Sequence, residues 1–380
     1  MKTKAAVIYA MEKPAPYAQS KPLVIEDLEL DGPGPGEVLV EIAGAGLCHS
    51  DLSVIDGSRP RVMPMVLGHE ACGIVRETGA GVEALWPDDH VVFSYVPICG
   101  RCQLCACGRA SLCEPGMRAN VAGSLLGGGR RFQTRDKKKL HHHLGVSGFS
   151  QFTVAAQESL VKIDPGFPLE KAALFGCAVL TGVGAVVNTA KVEAGLSVAV
   201  FGLGGVGLSA IMGAKLAGAN PIVAVDLLEE KLALARQVGA THTVNVRAGD
   251  PAPAVKDLTG GGAHYAFEAA GNERAGQQAF EATRRGGQTI FIGLPHPSKR
   301  LALSPATFVH EERTVRGSYM GSAVPSRDIP RYMDLYRAGL LPVDALLSRS
   351  LALEEINSAF DVLARGEAVR QMIRFNPTGV

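Results

Sequence analysis

Five of the eight cysteines fall within ICGRCQLCACGRASLC, residues 98–113. Four of them, Cys99, Cys102, Cys105 and Cys113, are spaced C-x2-C-x2-C-x7-C, which lets one short loop wrap a tetrahedral zinc with four thiolates. Such a site is closed: it staples a loop and leaves no position for substrate. Cys107 is then a bystander, since the other four already fill the sphere. The remaining cysteines are scattered: Cys48 in AGLCHSDLS, Cys72 in LGHEACG and Cys177 in LFGCAVLTG. A lone cysteine is ordinarily small buried filling. Cys48, however, is followed by His49, Ser50 and Asp51, while His69 and Glu70 sit in a Gly-rich turn. Cys48, His69 and Cys177 could together supply two thiolates and an imidazole, the ligand set of a catalytic zinc with one open position.

A second chemistry is written in VAVFGLGGVGLSAIMGAKLAGANPIVAVD, which reads as strand, glycine turn, helix and second strand ending in an acid. Gly202, Gly204 and Gly207 form G-x-G-x-x-G, with Gly205 and Val206 between them. The first glycine permits a tight turn, the second lets backbone approach a pyrophosphate, and the third lets helix and strand pack closely. The phosphates then face a helix N-terminus. Asp226 ends the next strand, where a carboxylate accepts hydrogen bonds from ribose hydroxyls and repels a 2′-phosphate, favouring NAD over NADP. In a chain with 45 glycines the pattern alone is weak, and the flanking strand, helix and acid carry the reading.

These residues need elements to hold them. At 380 residues the chain is long enough for two domains. To about residue 165 it reads as short β segments broken by Gly and Pro (KAAVIYA, PLVIEDLEL, GEVLVEIAGAGLC, GIVRETGAG, DHVVFSYV, SQFTVAA), the spacing of an antiparallel barrel-like domain. From about residue 180 apolar strands alternate with helices, one of them running through Arg284, which calls for a parallel sheet covered on both faces. The tail holds a helix near 329–338, another in LEEINSAFDVLARG with Gly366 as its C-cap, and a returning strand QMIRF. Residues 114–148 read as a long loop.

Composition excludes several classes. With 47% apolar and 20% charged residues and a net charge of +1, nothing pulls the molecule towards nucleic acid or an anionic membrane. Residues 172–190 and 194–214 carry no charge and approach a membrane span in length, but the second is broken by glycines into strand, turn and helix. The basic run Arg130 to His143 reads as a solvated loop; its three adjacent histidines could take only adventitious metal. No secretory signal is legible in MKTKAAVIYAMEKPAPY, so a cytoplasmic location with reduced thiols is expected.

GHE at 68–70, CHSD at 48–51, the four-cysteine lobe, FGCAVLTGVGA, FGLGGVGLS and VRQMIRF, in this order, resemble the zinc-containing medium-chain alcohol dehydrogenases, closest to their longer, typically dimeric members. The resemblance covers nearly the whole chain. It implies an α/β architecture: a GroES-like β-barrel catalytic domain over 1–179 with a structural zinc lobe at 97–115, a Rossmann doubly wound sheet over 180–319, and a return to the first domain over 320–380. It implies two zincs per chain, NAD, a small alcohol or aldehyde substrate, and a homodimer with neither nucleic-acid nor membrane partner.

Residue by residue, the resemblance makes Cys48, His69 and Cys177 catalytic zinc ligands and Glu70 the acid near that metal. Asp51 would orient the ligating imidazole. His49 and Arg370 would contact pyrophosphate, Lys231 the adenosine ribose, and Thr181 and Val206 the nicotinamide, with Ile292 also among the cofactor-binding residues. Ser50 matches the hydroxyl that takes the substrate proton, and His49 or water would replace the relay histidine whose position Ser53 occupies. Tyr95 and Leu52 suggest an apolar pocket for primary or aromatic alcohols. Glutathione-adduct oxidation remains an alternative, with Arg118 near, but shifted from, the basic position it uses. Outside the family stand a non-catalytic relative and a zinc-ribbon nucleic-acid binder; the latter needs a basic domain with exposed aromatics near the cysteines, and the sequence offers neither.

Overall fold

The computed structural model describes residues 1–377, in two compact units. The first comprises Met1–Cys177, Val324–Pro330 and the chain from Leu347; the second comprises Ala178–Ala323 and Arg331–Leu346.

The six expected β segments of the N-terminal half are strands of the first unit, in a five-stranded and a seven-stranded sheet. At the centre of the larger lies Glu37–Gly46, buried along all ten residues. EVLVEIAGAG tolerates this because its C-terminal half is small residues that let neighbours approach on both faces. It pairs antiparallel with Glu70–Thr78, with Phe152–Ala156 and, at its far end, with Arg370–Arg374. Gly46 therefore faces Glu70 across one register and Met372 across the other. Two residues beyond, Cys48 caps the helix His49–Ile55. Pairing alone thus gathers Cys48, Glu70 and Arg370 at one end of three adjacent strands. The smaller sheet closes over a core of Leu28, Leu30, Val66, Phe132 and Leu140.

The second unit is a six-stranded parallel sheet. Numbered within the unit, its strands are Val198–Phe201, Ile222–Asp226, His242–Asn245, Ala263–Glu268, Thr283–Phe291 and Thr314–Gly317, in spatial order 3-2-1-4-5-6. This is the doubly wound arrangement, whose ligand crevice lies where the order reverses, outside the carboxyl ends of the first and fourth strands.

Several local expectations change. The helix expected to run through Arg284 stops at Ala282, because Thr283 turns its hydroxyl back to Ala279 O (2.8 Å) and enters the sheet opposite Ala263. The tail helix begins at Pro325, ahead of the expected start, with Asp328 accepting the Val324 N–H at 2.9 Å. The supposed long loop contains the helix Glu114–Ala122, started by Cys113 Sγ accepting the Gly116 N–H and ended by Gly123 at φ +63°. It also contributes short strands at Phe132–Gln133 and His141–His142. The run is solvated as expected, and four of its basic side chains also have acidic partners, three of them more than a third exposed: Arg131 with Glu37 (2.6 Å), Lys139 with Asp31 (2.5 Å), Lys137 with Glu29 and Arg135 with Asp27 (3.7 Å). Of the histidines, His142 and His143 are fully buried.

Neither apolar stretch forms a span. Helices Leu169–Gly176 and Ala178–Ala190 are bent by 48° to one another, and the second stretch is strand Val198–Phe201, turn and helix Gly205–Leu216. Among the described residues no single helix is long and apolar enough to cross a membrane.

Candidate active site

Cys48, His69 and Cys177 come from three distant parts of the first unit, and one ligand atom from each lies within 4.8 Å of the other two. Cys48 ends the central strand region; His69 follows Gly68, whose φ of +94° and contact with Phe149 N admit only glycine; Cys177 occupies the break between helices. The pair Cys177 Sγ and His69 Nε2 is 3.5 Å apart. Two such ligands of a tetrahedral zinc, with bonds of about 2.3 and 2.0 Å, stand roughly 3.5 Å apart. All three residues are buried, and two thiolates with one imidazole leave the fourth position open. The donor set therefore fits a catalytic zinc. The Cys177 thiol hydrogen bond and the Arg370 guanidinium, at 3.7 Å, hold Cys48 strongly towards thiolate against the cost of its burial.

Asp51, wholly buried, fixes His69. Its Oδ1 lies 3.0 Å from His69 Nδ1, and its Oδ2 accepts the Cys48 N–H at 3.2 Å. Holding the proton on Nδ1 leaves the Nε2 lone pair facing the two sulfurs. Burial works against the Asp51 carboxylate, but His69 and His143 more than offset it and keep its pKa below the ordinary value.

Glu70 is fully buried with Oε1 at 3.5 Å from Arg370 Nε, and neither of its oxygens has a hydrogen-bond partner among the described residues. Loss of water pushes its pKa up to about 7, with Arg370 pulling the other way. Arg370, expected at a pyrophosphate, is itself 3% exposed and packed against Cys48 and Glu70. Tyr95 is set edge-on to the His69 ring, centroids 5.6 Å apart, and Leu52 is buried nearby in chain on the helix that Cys48 caps. On that helix Ser50 is half-buried and His49 exposed, while the Ser53 hydroxyl donates back to His49 O at 2.8 Å.

The Sγ atoms of Cys99, Cys102, Cys105 and Cys113 form a second cluster, all within 4.8 Å, and Cys107 stands outside it, exposed. Backbone N–H groups of Cys99, Cys102 and Gly116 point at Cys113, Cys99 and Cys113 sulfurs, respectively, at 3.3–3.4 Å. Donors aimed at sulfur suit thiolates around a metal. A side chain at Gly116 would strike Pro97 O, so the lobe closes only with glycine there.

In the second unit the three fingerprint glycines separate by role. Gly202 has φ +90° with Ala270 N close by; a side chain at Gly207 would strike Gly202 O; at Gly204, the N-cap of Gly205–Leu216, it would meet nothing within 4 Å. The open one is the one assigned to pyrophosphate. Asp226 already accepts the N–H groups of Leu203 (2.7 Å), Leu227 (2.7 Å) and Leu228 (3.1 Å), so its carboxylate sets the loop a ribose would meet. Lys231 is half-buried in the first turn of the next helix. Thr181 Oγ1 is buried without a partner among the described residues, and Gly182 beside it lies against Val206 O. Ile292 is buried at the end of the fifth strand, its N–H on Glu268 O at 2.8 Å. Open backbone at a helix N-terminus, a loop-setting acid and an orphaned hydroxyl fit a dinucleotide. Reading the sequence missed His143, whose Nδ1 lies 3.2 Å from Asp51 Oδ1; the available signal was its place directly before the buried run LGVSGF.

Residues 34–165 match the family model described as alcohol dehydrogenase GroES-like domain, and 205–338 the one described as zinc-binding dehydrogenase. The chain is 39% identical to alcohol dehydrogenase class-3 of Cereibacter sphaeroides, over 99% of this chain and 100% of that protein. It is 36% identical to S-(hydroxymethyl)glutathione dehydrogenase of Paracoccus denitrificans, over 99% and 100%. Among solved structures it is similar to benzyl alcohol dehydrogenase from Acinetobacter calcoaceticus, with TM-score 0.91 and 32% identity over 99% of this chain and 100% of that one.

Proposed function

Because the chain belongs to the zinc-containing medium-chain alcohol dehydrogenases, we propose that it interconverts a primary alcohol, aromatic or medium-chain, and its aldehyde at the Cys48, His69 and Cys177 centre. It is an NAD-dependent zinc oxidoreductase. The observation that carries the site assignment is the convergence of those three donor atoms from positions 48, 69 and 177 with one ligand position left free.

When bound, zinc supplies Lewis acidity at its open position and NAD supplies the hydride acceptor. The chain does the rest. Asp51 keeps the Nδ1 proton on His69, Arg370 stabilises charge on Cys48, and Ser50 accepts the substrate hydroxyl proton. With the Ser53 hydroxyl turned to His49 O, water or His49 takes the proton onward from Ser50. Tyr95 and Leu52, both buried, would supply apolar surface to the substrate. In the second unit Gly202 to Gly207 would hold the pyrophosphate, Asp226 and Lys231 the adenosine ribose, and Thr181 and Val206 the nicotinamide, with Ile292 also against the cofactor.

Two assays test this. Metal analysis should find two zincs per chain, and Cys48→Ala should retain one. A panel of alcohols followed by NADH absorbance should rank benzyl and medium-chain primary alcohols highest. The class-3 and S-(hydroxymethyl)glutathione relatives support a second reading, which turnover of formaldehyde with glutathione exceeding every simple alcohol would establish. Arg118, exposed on the helix after the lobe, lies near the basic position that substrate would use.

A homodimer is proposed with it, supported by the edge strand Thr314–Gly317, all four of whose residues are exposed. Eight free cysteines support a reducing, cytoplasmic setting.

A further inference from the structure

The steps above leave His143, a buried titratable group beside the reactive centre, without a task. His143 is 1% exposed, and its Nδ1 stands 3.2 Å from Asp51 Oδ1, the same oxygen that His69 Nδ1 approaches at 3.0 Å. The two imidazoles meet edge-on, with centroids 5.6 Å apart. His143 is held in place by its own backbone: its N–H points at Ser147 Oγ (3.1 Å) and Val66 O (3.3 Å). The fold therefore delivers a second histidine, from the strand region beside Met65–Val66, to a carboxylate that already serves the first.

A buried carboxylate is costly unless its oxygens are met by donors, and its orientation is only as fixed as those donors make it. Oδ2 of Asp51 has the Cys48 N–H; Oδ1 is shared by two imidazoles. The His143 approach is oblique, at hydrogen-bond distance but with no donor aligned on the oxygen, as expected where His69 holds the better direction. Its effect is to set the polar Nδ1 edge of the ring, which a phenyl ring lacks, against the remaining side of Oδ1, so that the carboxylate cannot swing away from His69.

We propose that His143 is a positioning residue of the reactive metal centre: it restrains Asp51, and through Asp51 the ring of His69. The chain of contact is His143 Nδ1 to Asp51 Oδ1 to His69 Nδ1, with His69 Nε2 left to the metal. Partners one step removed from a ligating histidine change metal affinity by about 10- to 100-fold, and His143 acts one step further out, at the lower end of that range. The inference rests on the catalytic zinc proposed above.

The test is zinc retention rather than turnover. His143→Phe keeps a ring and removes the donor; His143→Asn places an N–H where Nδ1 was. Against a competing chelator, His143→Phe should lose the zinc held by Cys48, His69 and Cys177 about tenfold faster than the unmodified protein, with the lobe zinc unchanged. Its cobalt-substituted form should show a shifted visible band, since the His69 ring is free to turn. His143→Asn should stay within about twofold in retention and keep the band. Equal retention and an unshifted band in His143→Phe overturn the proposal, as does an Asn variant as leaky as the Phe variant. If His143→Phe does not fold, the comparison is His143→Asn with His143→Gln, whose donor falls at the other ring nitrogen; equal retention by both overturns it. A native chain holding only one zinc would sink the underlying reading instead, which distinguishes the two failures.

Discussion

Ser50 and Ser53 sit one helical turn apart with unlike surroundings: Ser50 is half-buried, and Ser53 spends its hydroxyl on His49 O. If Ser50 starts proton transfer as proposed, Ser50→Ala should lower kcat at pH 7 by about 100-fold with zinc content unchanged. Full turnover in that variant would remove Ser50 from the mechanism. His142 makes a different prediction. Burial, with Arg131 adding to it, drives its pKa down to about 3, so the folded chain holds it neutral. Below the ordinary value near 6.5 the unfolded chain takes up a proton that the folded chain refuses, and stability falls by about 1.4 kcal/mol per pH unit towards pH 3. Between pH 6.5 and 5, urea midpoints should fall less steeply for His142→Phe than for the native chain; parallel slopes would refute the assignment. Legibility at this scale followed residue rarity. Cys48, His69 and Cys177 stand out because few roles suit a cysteine near a histidine, whereas His142 and His143 lie in a run of lysines and arginines whose pairing with Glu29, Asp31 and Glu37 no local pattern discloses. Arg370 was found by position, but its neighbours Glu70 and Cys48 arrive by strand pairing across the chain.

The turn between Val198–Phe201 and Gly205–Leu216 carries two glycines that sequence treats alike and structure does not. Gly207→Ala would drive a methyl into Gly202 O, where overpacking costs about 1–3 kcal/mol, so its thermal midpoint should drop. Gly204→Ala meets only open space at a φ of −74°, so it should melt like the native protein while binding NAD about tenfold more weakly, by calorimetric titration. A normal Gly204→Ala affinity would mean that the phosphates bind elsewhere. The strand, turn and helix around these glycines were legible because local periodicity and turn chemistry agree. Helix Glu114–Ala122 was not: its first turn is capped by a cysteine sulfur, a signal absent from any list of helix starts, and Gly116 within it argues against helix until Pro97 O is seen beside it.

For the whole molecule, the open edge of the parallel sheet is the feature that composition could not announce. Among the described residues no strand pairs with the outer flank of Thr314–Gly317, and Val309 (75% exposed) and Val315 lie on or before it. Unprotected edges invite a second chain, and a twofold axis there would pair one edge with its copy. Light scattering should give twice the chain mass, and Val309→Lys with Val315→Lys should give one chain mass; a native monomer refutes the dimer. The order 3-2-1-4-5-6 was foreseeable only as alternation of strand and helix, since which strands neighbour which depends on crossovers that leave no mark on local sequence. The two cysteine clusters differ in a further respect. The lobe draws its four sulfurs from within residues 99–113, while the reactive centre joins residues 48 and 177 across most of the first unit. Closing a short loop costs little chain entropy and closing a long one waits on the intervening strands. A chain leaving the ribosome can therefore gather the lobe's ligands as soon as residue 113 is clear, long before the other three can meet. The lobe's site can thus be assembled while the reactive centre still waits on the chain up to residue 177.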